Sequence, residues 1–88
     1  MRKIDEKYQT TGKITKLDGT PIPDDEELIL FRGQDKLVVP LLEYYRLLFI
    51  SSGCPDTELK LLDKRIKDIK AWQKANPGRL KIPGVKLK

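Results

Sequence analysis

The sequence predicts a mixed α+β fold in which an N-terminal β-hairpin packs on two antiparallel helices. Residues 7–17 are rich in β-branched and aromatic types, and a short apolar run follows at 28–32, which is typical of two strands. Residues 36–53 are apolar on nearly every side, and residues 55–75 show the three-and-four spacing of an amphipathic helix. A chain of 88 residues is expected to form one domain, residues 1–88, with a modest core.

The predicted hairpin covers residues 7–32. Asp18-Gly19-Thr20-Pro21 is a turn signal between its strands. Four consecutive acids at 24–27 lengthen the connection and lack the alternating spacing and glycine of a calcium loop. We therefore expect a solvated acidic loop and no metal site.

The first predicted helix occupies residues 36–53, with Asp35 as its cap and Gly53 as its terminator. Pro40 indicates that regular helix begins close to that residue, after an irregular first turn. A helix that is apolar all round must be buried all round, yet this chain is too short to cover it. We therefore expect a homo-oligomer, a dimer or a higher even assembly. The predicted oligomer interface consists of Leu41, Tyr44, Leu48 and Phe49.

The second predicted helix occupies residues 55–75, with proline at its start and Asn76-Pro77-Gly78 after its end. Its buried stripe comprises Leu59, Leu62, Ile66, Ile69 and Trp72 or Gln73. The last segment, residues 79–88, is a basic tail that is either extended or disordered until it meets a partner.

The net charge of +5 favours anionic partners such as nucleotides, nucleic acid or lipid headgroups. No apolar run reaches the roughly 20 residues that a membrane span needs, and no signal peptide is visible. The single cysteine, Cys54, forms no intramolecular disulfide. We expect a cytoplasmic protein that does not enter a membrane.

Catalytic groups are scarce in this sequence. It has no histidine, and its six glycines are scattered rather than gathered in a phosphate-binding loop. One cysteine without histidine cannot form a Cys–His nucleophilic pair. The sequence therefore predicts a protein without enzymatic activity and without a cofactor.

A polar cluster at 32–36 lies where the second strand meets the first helix, a position where small ligands often meet side chains and free N–H groups. Its arginine and lysine suit phosphate, its glutamine suits a base edge, and a tyrosine on the helix that follows suits base stacking. In the structural alternative, Asp35 only caps the helix and Arg32 pairs with it or with Glu43. The predicted ligand-binding residues are Arg32, Gln34, Lys36 and Tyr45.

Trp72 is a second candidate platform for a base, because Lys70, Lys74 and Arg79 lie close to it in the sequence. Its structural alternative is to complete the buried stripe of the second helix.

Three segments carry a family resemblance: Asp18–Pro23, then Leu28–Leu37 with its Phe-Arg-Gly-Gln-Asp-Lys motif, and Ala71–Pro77 with its Ala-Trp-Gln motif. Over about residues 17–83 the chain resembles a family of small proteins common in bacteriophages and bacterial mobile elements. Small phage proteins of this build often act as inhibitors or ligand sponges against host defence. By that analogy of build, the resemblance implies an anti-defence sponge for a cyclic oligonucleotide immune signal.

The leading functional hypothesis is a non-enzymatic protein that sequesters an anionic small molecule, with a cyclic nucleotide as the expected ligand. One alternative is a nucleic-acid-binding accessory protein that uses the second helix and the basic tail, with strong salt dependence. Another is a protein-binding inhibitor or structural phage component that uses the surplus apolar surface of the first helix.

Overall fold

The computed structural model describes residues 2–84. The chain divides into two compact units, Met1–Leu30 and Phe31–Lys88. Strand β1 (Arg2–Lys3) and strand β2 (Gln9–Thr10) belong to the first unit. Helix α1 (Val38–Ser51), helix α2 (Asp56–Ala75) and a 3₁₀ turn at Pro77–Arg79 belong to the second.

Asp5 organises the first unit. One of its carboxylate oxygens accepts the backbone N–H groups of Lys7 and Tyr8, at 2.8 and 3.0 Å. The other accepts the N–H of Leu30 at 3.0 Å. These hydrogen bonds, that from Leu30 foremost, lower the pKa of the Asp5 carboxyl, because they favour its charged form. Strands β1 and β2 pair antiparallel on either side of this turn.

The structure does not contain the hairpin predicted over residues 7–32. Within 7–17, only Gln9–Thr10 is a strand, and Thr15 forms an isolated bridge with Pro21. The run at 28–32 is not a strand. High β propensity produces a strand only where a partner chain is in register, and here a carboxylate rather than a ladder carbonyl accepts the N–H of Leu30. The fold is mixed α and β, with very little β.

Helix α1 begins at Val38 and not at residue 36, because Asp35 builds the turn that precedes it. A carboxylate oxygen of Asp35 accepts the N–H of Leu37 at 2.8 Å, and its carbonyl accepts that of Val38 at 3.2 Å. Ser51 is its last residue, and Gly53 follows with a φ of +78°, the left-handed conformation common after a helix end. Helix α2 begins one residue after Pro55 and ends at Ala75 as predicted.

The two helices pack antiparallel, as their ion pairs demonstrate. Arg46 Nε lies 2.5 Å from a carboxylate oxygen of Asp63, and Lys70 Nζ lies 2.6 Å from Glu43. The later residue of α1 therefore meets the earlier residue of α2. Among the described residues, Val38 and Ile66 are the apolar side chains that are buried, at 2% and 6% exposure.

The chain after α2 returns to the segment before α1. The N–H of Lys36 donates to the carbonyl of Lys81, and the N–H of Lys81 donates to the carbonyl of Gln34, both at 2.9 Å. We call this parallel bridge, centred on Asp35 and Lys81, the clasp. Part of the predicted basic tail is thus the 3₁₀ turn and the clasp, and residues 85–88 lie outside the described residues.

No helix in the described part of the chain is both long enough and apolar enough to cross a membrane.

Candidate functional site

A cavity of about 600 Å³ lies between the segment 31–38 and α2 in the second unit. This volume is within the range of small-molecule sites, about 300–1,000 Å³. Three arginines and the only tryptophan stand on its wall, so we call it the Arg–Trp cavity. Its lining residues are Phe31, Arg32, Gly33, Gln34, Val38, Leu42, Arg65, Asp68, Ile69, Trp72 and Arg79.

The side chain of Gln73 fixes the segment that forms one wall of the cavity. Its Nε2 donates to the carbonyl oxygens of Gly33 and Asp35, at 2.9 and 3.1 Å. Asp35 is buried at 7% exposure, and its backbone also takes part in the clasp. Two independent attachments, one from α2 and one from the returning chain, therefore hold Arg32 and Gln34 in place.

The indole of Trp72 forms the aromatic part of the wall. A Cβ at Gly33 would lie 3.4 Å from the indole, at van der Waals contact, so the backbone of this residue lies close to the ring. The guanidinium carbon of Arg79 lies 4.9 Å from the ring centroid, within cation–π distance. The side-chain amide of Asn76 donates to the Trp72 carbonyl at 2.8 Å. The ring is half-buried.

The charge on the cavity wall is positive. Arg32, Arg65 and Arg79 face one carboxylate, Asp68. Lys64 Nζ lies 2.9 Å from Asp68 and, more than any other group, lowers the pKa of that carboxyl. Within residues 2–84, neither Arg32 nor Arg65 donates a side-chain hydrogen bond to the protein, so their guanidinium groups are available to a ligand.

The structure brings together two of the four predicted ligand-binding residues. Arg32 and Gln34 line the Arg–Trp cavity, whereas Lys36 and Tyr45 do not. Lys36 is exposed and joins the clasp through its backbone. Tyr45 lies on α1 and stacks on Phe49 with ring centroids 5.8 Å apart.

The cavity wall also contains residues outside that predicted set. Arg65 and Trp72 are seven residues apart on α2 and share one helix face. Arg79 arrives through the 3₁₀ turn. Helical spacing places Arg65 on the same face as Trp72. The sequence signal for a ligand site, however, was the group of basic residues within a few positions of the tryptophan, and Arg65 lies outside that group.

The predicted oligomer-interface residues lie mainly on the outer surface of α1. Leu41, Tyr44 and Leu48 are 42%, 62% and 48% exposed. Phe49 is half-buried. An entirely apolar helix must be covered on every side. The second unit leaves this side of α1 exposed.

A second cavity, of about 650 Å³, lies on the other side of the helix pair. Its polar groups are mostly committed, since Glu43, Arg46, Asp63 and Lys70 form the two interhelical ion pairs. It offers little unpaired charge to a ligand. Nowhere in residues 2–84 do three or more carboxylate or thiol side chains gather as a metal site would require.

Comparisons with protein-family models, with curated proteins and with solved structures found no match.

Proposed function

We propose that this protein is a non-enzymatic binding protein that takes up a small anionic molecule in the Arg–Trp cavity. The observation that carries the proposal is the presence of three arginines and one tryptophan on the wall of a single cavity of about 600 Å³. A ligand that fits this wall has negative charge at one end and a flat, apolar part at the other.

Charge supports a phosphorylated ligand. Arginine presents a planar set of donors that matches two phosphate oxygens at once. Arg32 and Arg65 make no side-chain hydrogen bond within residues 2–84, so binding an anion breaks no hydrogen bond of theirs, although Arg65 also attracts the Asp68 carboxylate. The only acid on the wall, Asp68, is already neutralised by Lys64.

The remaining wall supports a nucleotide in particular. Trp72 supplies an aromatic ring of the kind on which bases stack, a contact that contributes about 1–3 kcal/mol per base. The Arg79 guanidinium lies over this ring, 4.9 Å from its centroid, so a stacked base would take its place. The side chain of Gln34 carries both donors and an acceptor for a base edge, and apolar side chains complete the wall. Cyclic di- and trinucleotides are the first candidates. A phage-type sponge for such an immune signal needs only to hold it.

Tryptophan fluorescence tests the proposal directly, because Trp72 is the only tryptophan in the chain and lies on the cavity wall. The titrants are a panel of cyclic di- and trinucleotides, linear mononucleotides and inorganic phosphate. We expect a saturable change in emission with at least one nucleotide. Native mass spectrometry of the same mixtures gives the number of molecules bound.

Matched variants locate the site. Arg32→Ala and Arg65→Ala should each weaken nucleotide binding at least about tenfold, since each removes a charge-assisted contact of about 1.5–3 kcal/mol. Lys60→Ala removes the same charge from an exposed position of α2 that is not on the cavity wall, and should leave binding within about twofold.

Three results contradict the proposal. If none of the titrants binds, a small anionic ligand is ruled out. If Lys60→Ala and Arg65→Ala lose nucleotide affinity equally, binding depends on the overall positive charge and not on the Arg–Trp cavity. Binding of single-stranded oligonucleotides that falls steeply with salt, while no small nucleotide binds, favours the nucleic-acid-binding alternative.

A further inference from the structure

Helix α1 carries an apolar strip on the side away from its ion pairs with α2. Leu41, Tyr44, Tyr45 and Leu48 follow the i, i+3, i+4, i+7 spacing that places side chains on one helix face. Their exposed fractions are 42%, 62%, 52% and 48%. We call these four residues the LYYL strip. Leu37, 53% exposed, extends it by one turn toward the helix start.

The strip contains no charge. The two charged residues of α1, Glu43 and Arg46, are occupied on another side of the helix by Lys70 and Asp63. The first turn of α1 has no acid and its last turn no base. A nucleic acid, an acidic peptide or a lipid headgroup surface would therefore find no complementary charge on the strip.

The order of residues in the strip is symmetric. Leucines stand at both ends and two tyrosines stand in the middle, so reversing the helix direction exchanges Leu41 with Leu48 and Tyr44 with Tyr45. When two such strips pack antiparallel about a two-fold axis, each leucine meets a leucine of the other copy and each tyrosine meets a tyrosine, so the strip is complementary to itself. We propose that two copies of this chain form a dimer in which their LYYL strips pack antiparallel, with the axis between the tyrosines.

The exposed area suits the centre of such an interface. Two tyrosines and two leucines, each about half exposed, leave on the order of 350 Å². A stable interface buries about 800 Å² per partner, with an apolar centre and a polar rim. The strip supplies the centre, and Leu37 adds to it. The core of the second unit is small and leaves the apolar side chains of the strip in water. Self-association would bury that apolar area and is therefore favourable.

Sedimentation equilibrium of the full chain tests the proposal. We expect a species of twice the 10.2 kDa of one chain. Leu48→Glu should raise the dissociation constant at least about 100-fold, because each dimer would then bury two unpaired carboxylates. Leu61→Glu is the matched control: Leu61 is 62% exposed on α2 and should leave the dimer unchanged.

A charge-pair variant tests the antiparallel arrangement itself. Leu41→Lys alone should also dissociate the dimer. The double variant Leu41→Lys/Leu48→Glu should restore it, because the two new charges would face each other across the axis. A parallel arrangement would instead place like charges together and give no rescue. Circular dichroism establishes that each variant keeps its helices.

The proposed dimer does not depend on the proposed ligand. A monomer at all concentrations overturns it, and so does a dimer that Leu48→Glu leaves intact. Dissociation by both single variants without rescue by the double variant overturns the antiparallel symmetry. Nucleotide binding by a chain that is monomeric in these measurements would contradict the dimer while leaving the proposed function in place.

Discussion

The side-chain amide of Gln73 allows a quantitative test of how the cavity wall is held. It donates to the carbonyl oxygens of Gly33 and Asp35, at 2.9 and 3.1 Å. Gln73→Glu keeps the size and shape of the side chain and removes both donors. At neutral pH, a carboxylate would then face two carbonyl oxygens that have lost their partner.

The magnitude follows from the two hydrogen bonds. Each contributes roughly 1 kcal/mol net, and partly buried acceptors left without a donor add to the loss. We expect Gln73→Glu to lower the free energy of unfolding by about 2–3 kcal/mol at pH 7. A protonated carboxyl has one O–H to donate, so folding favours the protonated form and raises the pKa of the new carboxyl. The destabilisation should therefore shrink as the pH falls through the raised pKa of the folded state, and should be smallest below about 4.3, the ordinary glutamate pKa.

Urea unfolding followed by circular dichroism at pH 7 and at pH 3.5 measures both effects. Gln9→Glu, at an exposed position of β2, is the matched control and should change stability by no more than about 0.5 kcal/mol. Gln73→Met removes the donors without adding charge and should show the loss without the pH dependence. An unchanged urea midpoint for Gln73→Glu would refute the reasoning, because the segment would then be held without this amide.

Two further predictions concern the helix pair. Ile66→Ala should lower the free energy of unfolding by about 2–5 kcal/mol in urea denaturation, because it leaves a cavity in place of a buried apolar side chain. Leu61→Ala, at an exposed position, should lower it much less, and equal losses in the two variants would contradict the described core. The hydrogen bond from Arg46 lowers the pKa of the Asp63 carboxyl from its ordinary 3.8, so the ion pair stabilises the fold above that pH and the contribution is lost as the pH falls through the lowered value. Asp63→Asn should therefore reduce stability at pH 7 and flatten its decline in acid, and thermal unfolding between pH 2 and 7 checks this.

The helices were predictable because their signals are local. Apolar periodicity, Pro55 and Gly53 together define where α1 ends and α2 begins, and each acts within a few residues of its own position. Asp35 acts in the same way, through a hydrogen bond to an N–H two residues away. Pro40 predicted that regular helix begins close to that residue after an irregular first turn, and α1 does begin at Val38, because this turn is separate from the helix.

The predicted hairpin failed because strand pairing is not local. Residues 28–32 have the composition of a strand, but composition does not say whether a partner lies in register. The candidate site was predictable only in part for the same reason. Arg32 and Gln34 belong to one short motif, whereas Arg65 and Arg79 reach the cavity through the packing of α2 and the turn after it.

The clasp has a consequence for the order in which the molecule opens. It joins segments on either side of the helix pair with two backbone hydrogen bonds, whereas the contacts between α1 and α2 join neighbouring elements of the chain. Contacts between distant segments carry the larger loop-closure cost and are expected to form late in folding. In native-state hydrogen exchange, the amides of Lys36 and Lys81 should therefore exchange before those in the middle of the helices. When the clasp opens, the side-chain amide of Gln73 would be the remaining attachment of that wall of the Arg–Trp cavity, while both helices stay folded.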